Sequence, residues 1–311
     1  MKNTRENTLA AIHGANPAFV PVFDGGVWDA AMLGGNFREA TWTDAWGVQW
    51  VQELPGMVPS DVVHPLADLS RLDSYAWPDP WKLTWTPEDR RRFDAIDRTR
   101  VLRGGCQIYL LCERLCSLMG MDAFLVAMYE DPDRLQVLIN RIVDYTAVCF
   151  RRLMDLGIDT LHVSEDLGTQ RALMMSPAMF RRFLLPAYER LFAEPRRRGV
   201  LIDFHSCGCV QEIVPDLIAV GIDILNPVQV RANDRARIKQ MTRDRIAVLG
   251  GIDSYVVHCG TPDDVRREVR AAFDVWKPGA RWLAAPDQVL TGAPEANIRT
   301  LWEECWKLAE Y

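Results

Sequence analysis

Residues 199–228 read GVLIDFHSCGCVQEIVPDLIAVGIDILNPV. An apolar run, GVLIDFH (199–205), stops at a Ser-Cys-Gly-Cys turn. A helical pattern follows over 209–220, and a second apolar run, IDILNPV (222–228), begins just after Gly221. Short apolar runs separated by one helix predict parallel strands joined by a crossover.

The unit recurs on both sides of this stretch. IDTLHVS (158–164) precedes a helix over 176–194, and a helix over 233–242 follows IDILNPV. RIAVLGG (245–251) precedes a helix over 262–276, and ARWLAA (280–285) precedes one over 294–309. Upstream, FVPVFD (19–24) and RTRVLRG (98–104) read as strands. TRENTLAAIHG (4–14) reads as a short helix, and 113–156 as helix broken near Gly120 and at Asp131-Pro132. Five regular β-then-α units and two or three less regular ones predict an α/β fold. It is a closed (β/α)8 TIM barrel with an N-terminal helical and loop extension, in one domain over 1–311. An open doubly wound sheet competes, but no Gly-rich phosphate loop follows the first strand. The Gly-, Pro- and Trp-rich stretch 28–81 is expected to give loops and short helices over one face. Within it, Trp42, Trp46 and Trp50 recur at helical spacing and are expected to share one face of a packed lid.

With 49% hydrophobic residues, the 311-residue chain can bury a full core. A net charge of −6 with no basic stripe argues against nucleic acid or an anionic membrane as partner. No apolar run approaches about 18 residues, and MKNTRENTLA has no signal-peptide character, so a cytoplasmic protein is expected. The eight cysteines read as buried thiols or ligands rather than disulfides. Among them Cys106, Cys112 and Cys116 are expected to pack in the core.

In a β/α barrel the chemistry sits on loops after the strands. Those loops offer Asp24, then Glu165 and Asp166, then His205 and Cys207, then Asn226 and Gln229, then Gly251 and Asp253, then Asp287 and Gln288. His205 and Cys207 stand two apart in an extended turn, so imidazole and thiolate can reach one ion, and zinc takes such ligands. A thiolate facing the next helix's N-terminus would have a lowered pKa. A core histidine beside inert thiols fits the same spacing. Of the adjacent carboxylates Glu165 and Asp166, one is expected to enter the site while the other supports it.

The chain resembles the uroporphyrinogen decarboxylase superfamily, and within it the cobalamin-dependent methyltransferase branch of O-demethylase type. The resemblance rests on DAWGVQW (44–50), HPLADLSRLDSYAWPDP (64–80), VSEDLGTQ (163–170), SPAMFRRFLLPAY (176–188), FHSCG (204–208), PDLIAVGIDILNPVQ (215–229), LGGIDS (249–254) and APEANI (293–298). It implies a (β/α)8 barrel carrying zinc on His205 and Cys207. It also implies methyl transfer from a small methoxylated, aromatic substrate to a corrinoid carried by a partner protein, and it leaves a homodimer open. Decarboxylation fits less well, because Asp24 to Trp28 carries no arginine, the next being Arg38. A cysteine that completes the metal site in thiol-methylating relatives is missing from AAPDQVLTG (284–292). The expected third ligand is therefore Glu165, with Asp287 and Cys259 behind it. Glu165, Asp166 and Asp24 are the expected catalytic groups. Trp28, Trp46, Asn226, Gln229, Gly251, Asp253 and Gln288 are expected to bind substrate or corrinoid.

Overall fold

The chain opens with α1 (Arg5–His13), started by the Thr4 side chain on Asn7 N–H and ended by Gly14 at φ 64°. The computed structural model describes residues 3–24, 28–32, 40–53, 58–85, 87–107 and 109–311, with the side chains of 28–32, 89 and 92 outside that description. After α1 come β1 (Trp28–Met32) and a small antiparallel sheet of β2 (Thr41–Thr43), β3 (Gln49–Val51) and β4 (Ser60–Val63). Past α2 (Pro87–Asp94) and β5 (Leu102–Gln107), three helices follow in series. They are α3 (Cys112–Met119), α4 (Met121–Glu130) and α5 (Pro132–Met154), divided at Gly120 and Asp131 as their sequence predicts. Then β6 (Thr160–Asp166) leads to α6 (Pro177–Met179), which runs through a π turn into α7 (Leu185–Arg197). The remainder alternates as β7 (Leu201–Cys207), α8 (Val214–Val220), β8 (Ile224–Val228), α9 (Arg235–Thr242) and β9 (Ala247–Ile252). It ends with α10 (Ser254–Cys259), α11 (Pro262–Trp276), β10 (Trp282–Pro286) and α12 (Glu295–Leu308).

Seven strands form one sheet in the order β1-β5-β6-β7-β8-β9-β10, every pair parallel. At the β10 edge, Val22 makes a parallel bridge to Ala284, and Phe23 N and Pro21 O bond the Ala284 backbone at 2.8 Å each. From Phe23 at that edge to Trp28 at the β1 edge the chain reaches at most roughly 18 Å. The sheet therefore curls until both edges share one stretch of chain. This is the expected TIM-barrel fold, with the predicted strand 19–24 realised as an extended stave held by bridges.

Inward side chains alternate with outward ones along each strand. Leu102, Leu201, Ile224, Ala247, Leu249 and Leu283 fill the lower barrel, and Ile12 of α1 closes it from beneath. No helix among the described residues is long and apolar enough to cross a membrane.

Three expectations change. The stretch 28–81, expected as loops and short helices, also carries β1 and the antiparallel sheet β2–β4. The tryptophans at 42, 46 and 50 do not share a helix face. Trp42 and Trp50 face each other across the β2–β3 hairpin, stacked at 6.3 Å, while Trp46 lies in its turn. The turn is built by Asp44, whose carboxylate accepts from Trp46 N and Val48 N, and by Gly47 at φ 75°. The helix expected over 209–220 begins only at Val214, because the Cys209 and Val210 N–H groups bond Thr169 O and Asn233 Oδ1 across the barrel mouth.

Candidate functional site

β6 and β7 run in register, with His162 beside Asp203, Ser164 beside His205 and Asp166 beside Cys207. Period-two alternation turns residues 162, 164 and 166 of β6 and 203, 205 and 207 of β7 into the barrel. The result is a polar column rising from the apolar floor. At its base His162 Nδ1 lies 2.6 Å from Asp203 Oδ2. At the rim His205 Nε2 lies 3.4 Å from Cys207 Sγ and 3.9 Å from Asp166 Oδ1. The ligand atoms of Asp166, His205 and Cys207 all lie within 4.8 Å of one another.

That spacing tests whether a metal fits. Tetrahedral zinc with bonds of about 2.0–2.3 Å sets its ligands roughly 3.3–3.8 Å apart. The observed separations need only small side-chain adjustments to meet it. An oxygen, a nitrogen and a sulfur donor leave a fourth position open, the arrangement of catalytic zinc.

The surroundings hold the group in place. Gln288 Nε2 donates to Cys207 Sγ at 3.2 Å, Cys207 N donates to Asp166 Oδ1 at 3.1 Å, and the Asn226 amide bonds the His205 ring. Burial, then the neighbouring His162, lowers the His205 pKa, which keeps the imidazole neutral and free to ligate. The expected low-pKa thiolate is not found. Burial first, and then Asp166, pushes the Cys207 thiol up to about 12. The helix whose N-terminus was to lower it starts too far along the chain, at Val214. A divalent cation is what would hold this sulfur as thiolate.

Gly208, at φ 79°, packs against Gly168 so closely that a Cβ would stand 2.1 Å from the Gly168 carbonyl oxygen. Backbone cannot swing aside as a side chain would. Gly208→Ala is expected to cost about 2–3 kcal/mol and to displace the Cys207 turn. Urea unfolding with zinc titration would check both effects.

Glu165 lies on the opposite face of β6 from Asp166 and is fully buried. Its carboxylate accepts from Leu111 N and Cys112 N at 2.9 Å, from Glu113 N at 3.0 Å and from Tyr188 Oη at 2.6 Å. It caps α3 rather than facing the barrel, and Asp166 takes the place in the ligand group that the sequence reading gave to Glu165. Burial pushes the Glu165 carboxyl up to about 7 against the pull of those bonds. Glu113, in the first turn of α3, accepts from Ser164 Oγ at 3.0 Å, and burial with Glu165 and Asp166 nearby pushes it up to about 8.

Beside the column opens a cavity of about 600 Å³. It is lined by polar His162, His205, Asn226 and Gln288 and by apolar Phe23, Leu249, Leu290, Ile298 and Trp302. Asn226 and Gln288, two of the expected binding groups, border this cavity. Most other candidates lie elsewhere. Asp287 borders the cavity, but its oxygens are taken by Ser254 N, Ser254 Oγ and Val230 N. Gln229 accepts from Gly208 N, the Gly251 carbonyl accepts from Trp276 Nε1, and Asp253 caps α10 and pairs with Arg231. Asp24 is exposed and accepts from Trp306 Nε1. Trp46 is buried against Tyr145 and Arg114, outside the barrel lumen. Cys259 is exposed on α10, and the Trp28 side chain lies outside the described residues. Sequence reasoning missed His162 and Asp203, although alternation through IDTLHVS and GVLIDFH would have put them on the faces of Asp166 and His205.

A model of the family described as uroporphyrinogen decarboxylase (URO-D) matches residues 113–308. The chain is 28% identical over 151 residues to a uroporphyrinogen decarboxylase of Syntrophotalea carbinolica, covering 47% of this chain and 40% of that protein. It is 30% identical over 150 residues to one of Rhodococcus erythropolis, covering 46% and 38%. The matched stretch thus spans about two fifths of the length of these relatives. A methyltransferase from Methanosarcina mazei superposes with a TM-score of 0.75 over 98% of this chain and 99% of its own, at 17% identity, which places the two in one fold.

Proposed function

The chain belongs to the uroporphyrinogen decarboxylase family, and from that premise we propose that it is a zinc-dependent methyltransferase. It moves a methyl group from a small aryl methyl ether to a corrinoid carried by a partner protein. The observation that carries this reading is the Asp166–His205–Cys207 group, whose His205 borders a half-apolar cavity. Zinc bound there supplies a Lewis acid for the oxygen from which the methyl group departs, and the corrinoid supplies the methyl acceptor.

The chain's own residues do the positioning. Asp166, His205 and Cys207 hold the ion, and Gln288 steadies the sulfur by its hydrogen bond. The apolar lining orients an aromatic ring so that its ether oxygen meets the polar lining, and it keeps water from the reacting bond. A substrate with carboxylates fits the cavity less well, since no Lys or Arg borders it among the described residues.

Incubation of the protein with reduced cobalamin and an aryl methyl ether tests the reading. Methylcobalamin is expected to form, to stop with a chelator and to resume on adding zinc. The names of the sequence relatives favour a second reading, decarboxylation without corrinoid. Release of carbon dioxide from a carboxylated substrate, with no cobalamin present, would replace the first reading with the second.

A further inference from the structure

A second cavity, of about 490 Å³, opens at the other end of the barrel, where β7, β8 and β9 begin. Leu201 at its edge and Cys207 in the ligand group are the two ends of β7, roughly 20 Å apart. The proposed methyl transfer makes no use of this end.

The charged residues that line it are His13, Arg196, Asp223 and Arg245. Cations near helix C-termini often serve only to satisfy the last carbonyls. Here backbone already does so. The N–H groups of Gly14 and Ala15 close α1, those of Gly199 and Val200 close α7, and those of Gly221 and Ile222 close α8. Arg196 makes one long bond, Nη1 to Val220 O at 3.5 Å, and its guanidinium lies over Gly221, where a Cβ would stand 2.5 Å from Cζ. Its neighbours Arg197 and Arg198 both pair with Glu194, whereas Arg196 pairs with no carboxylate among the described residues. The Arg245 guanidinium bonds none of the described residues at all. Asp223 Oδ2 accepts from Ile202 N at 2.8 Å, and its other oxygen bonds no protein group among the described residues.

Strained backbone sets the frame. Ala280 and Arg281 both hold left-handed φ, 58° and 57°, which residues with side chains rarely adopt. Arg281 Nη1 thereby reaches Ile12 O at 2.9 Å and Arg245 O at 3.4 Å, tying α1 to the segment that carries Arg245 beside the cavity. Backbone outliers held by their surroundings cluster at ligand sites.

Two unpaired guanidinium groups call for an oxyanion, which their N–H forks bind in pairs. Their joint charge matches a phosphate monoester, about −1.5 to −2 at pH 7, better than a single carboxylate. The free Asp223 oxygen repels a bare anion and calls for a hydroxyl donor on the same ligand. We infer that this cavity binds a small hydroxylated anion of the phosphate monoester class. Arg196 and Arg245 take the phosphate, and Asp223 takes a hydroxyl group. The inference is independent of the methyl-transfer reading.

Calorimetry on the 311-residue chain, in phosphate-free buffer at about 0.15 M ionic strength, tests it with glycerol 3-phosphate, inorganic phosphate and glycerate. Glycerol 3-phosphate is expected to bind with a Kd below about 1 mM, at least about fivefold tighter than either of the others. Arg196→Met and Arg245→Met should each weaken it at least about fivefold. In Asp223→Asn the amide oxygen stays with Ile202 N and the NH2 group faces the cavity, so inorganic phosphate should bind tighter and the lead of the ester should vanish. Absence of saturable ester binding by the unsubstituted, folded protein overturns the inference and needs no variant. Equal binding of ester and glycerate overturns it too. Undiminished ester binding in a folded Arg196→Met/Arg245→Met double variant places the anion elsewhere and overturns it as well.

Discussion

His205→Ala is expected to lower bound zinc from about one equivalent per chain to below about a tenth, and methyl transfer by at least about a thousandfold. Catalytic zinc holds on three protein ligands, and the alanine leaves two. Cys207 cannot make up the loss alone, because its thiol, pushed up to about 12, becomes a ligand only when the cation is already held nearby. Asp166→Asn keeps a neutral oxygen at 3.9 Å from His205 Nε2 but removes the charge, and is expected to weaken zinc by about a hundredfold. Glu165→Gln separates the two carboxylates. Its side chain points away from the barrel to the start of α3, so zinc content should stay at one equivalent. Elemental analysis of the purified variants after dialysis, with circular dichroism to verify folding, reads all three. Retained zinc in His205→Ala would dismiss the ligand group, and zinc lost only from Glu165→Gln would return the acidic ligand to Glu165.

That contrast marks where the sequence was legible. From residue 158 onward, strands are short apolar runs and helices are long amphipathic ones, so the β/α alternation can be read directly. The same property hides the orientation of each strand. In a barrel both faces of a strand are buried, one in the lumen and one under the helices, so apolar residues do not mark the inner face. Val163 and Leu161, packed outward, are as apolar as a lumen residue would be. Nothing in LHVSED alone says whether Glu165 or Asp166 looks inward. The register with His205 and Cys207 on the neighbouring strand decides it. The tryptophan spacing misled for a different reason. A two-stranded hairpin with a five-residue turn repeats its facing positions at an interval that a helix also produces. Here Asp44 and Gly47, rather than the tryptophans, carried the turn signal. The apolar cavity lining was out of reach altogether, because Phe23, Leu290 and Trp302 come together only when the barrel closes.

Glu165→Ala is expected to destabilise the fold by about 4–5 kcal/mol, the largest stability effect of any single change at the site. α3 starts at Leu111 with no side-chain cap of its own, and the first N–H groups of a helix have no partner within it. Glu165 supplies that partner from β6, taking the N–H groups of Leu111, Cys112 and Glu113. A negative carboxylate at a helix N-terminus also meets the positive end of the helix dipole. Alanine leaves these groups, with Tyr188 Oη, buried and unpaired, at about 1–3 kcal/mol for each that water cannot reach. Glu165→Gln keeps an accepting oxygen and is expected to cost about 2 kcal/mol. The damage should spread to the site. Glu113 and Arg114, in the first turn of α3, bond Ser164 and Asp44, so fraying the helix start loosens both the polar column and the hairpin over it. Urea unfolding monitored by tryptophan fluorescence measures the loss, and hydrogen exchange at residues 111–113 localises it. A Glu165→Ala protein as stable as the parent, with those amides still protected, would mean that the helix start is held by something other than this carboxylate.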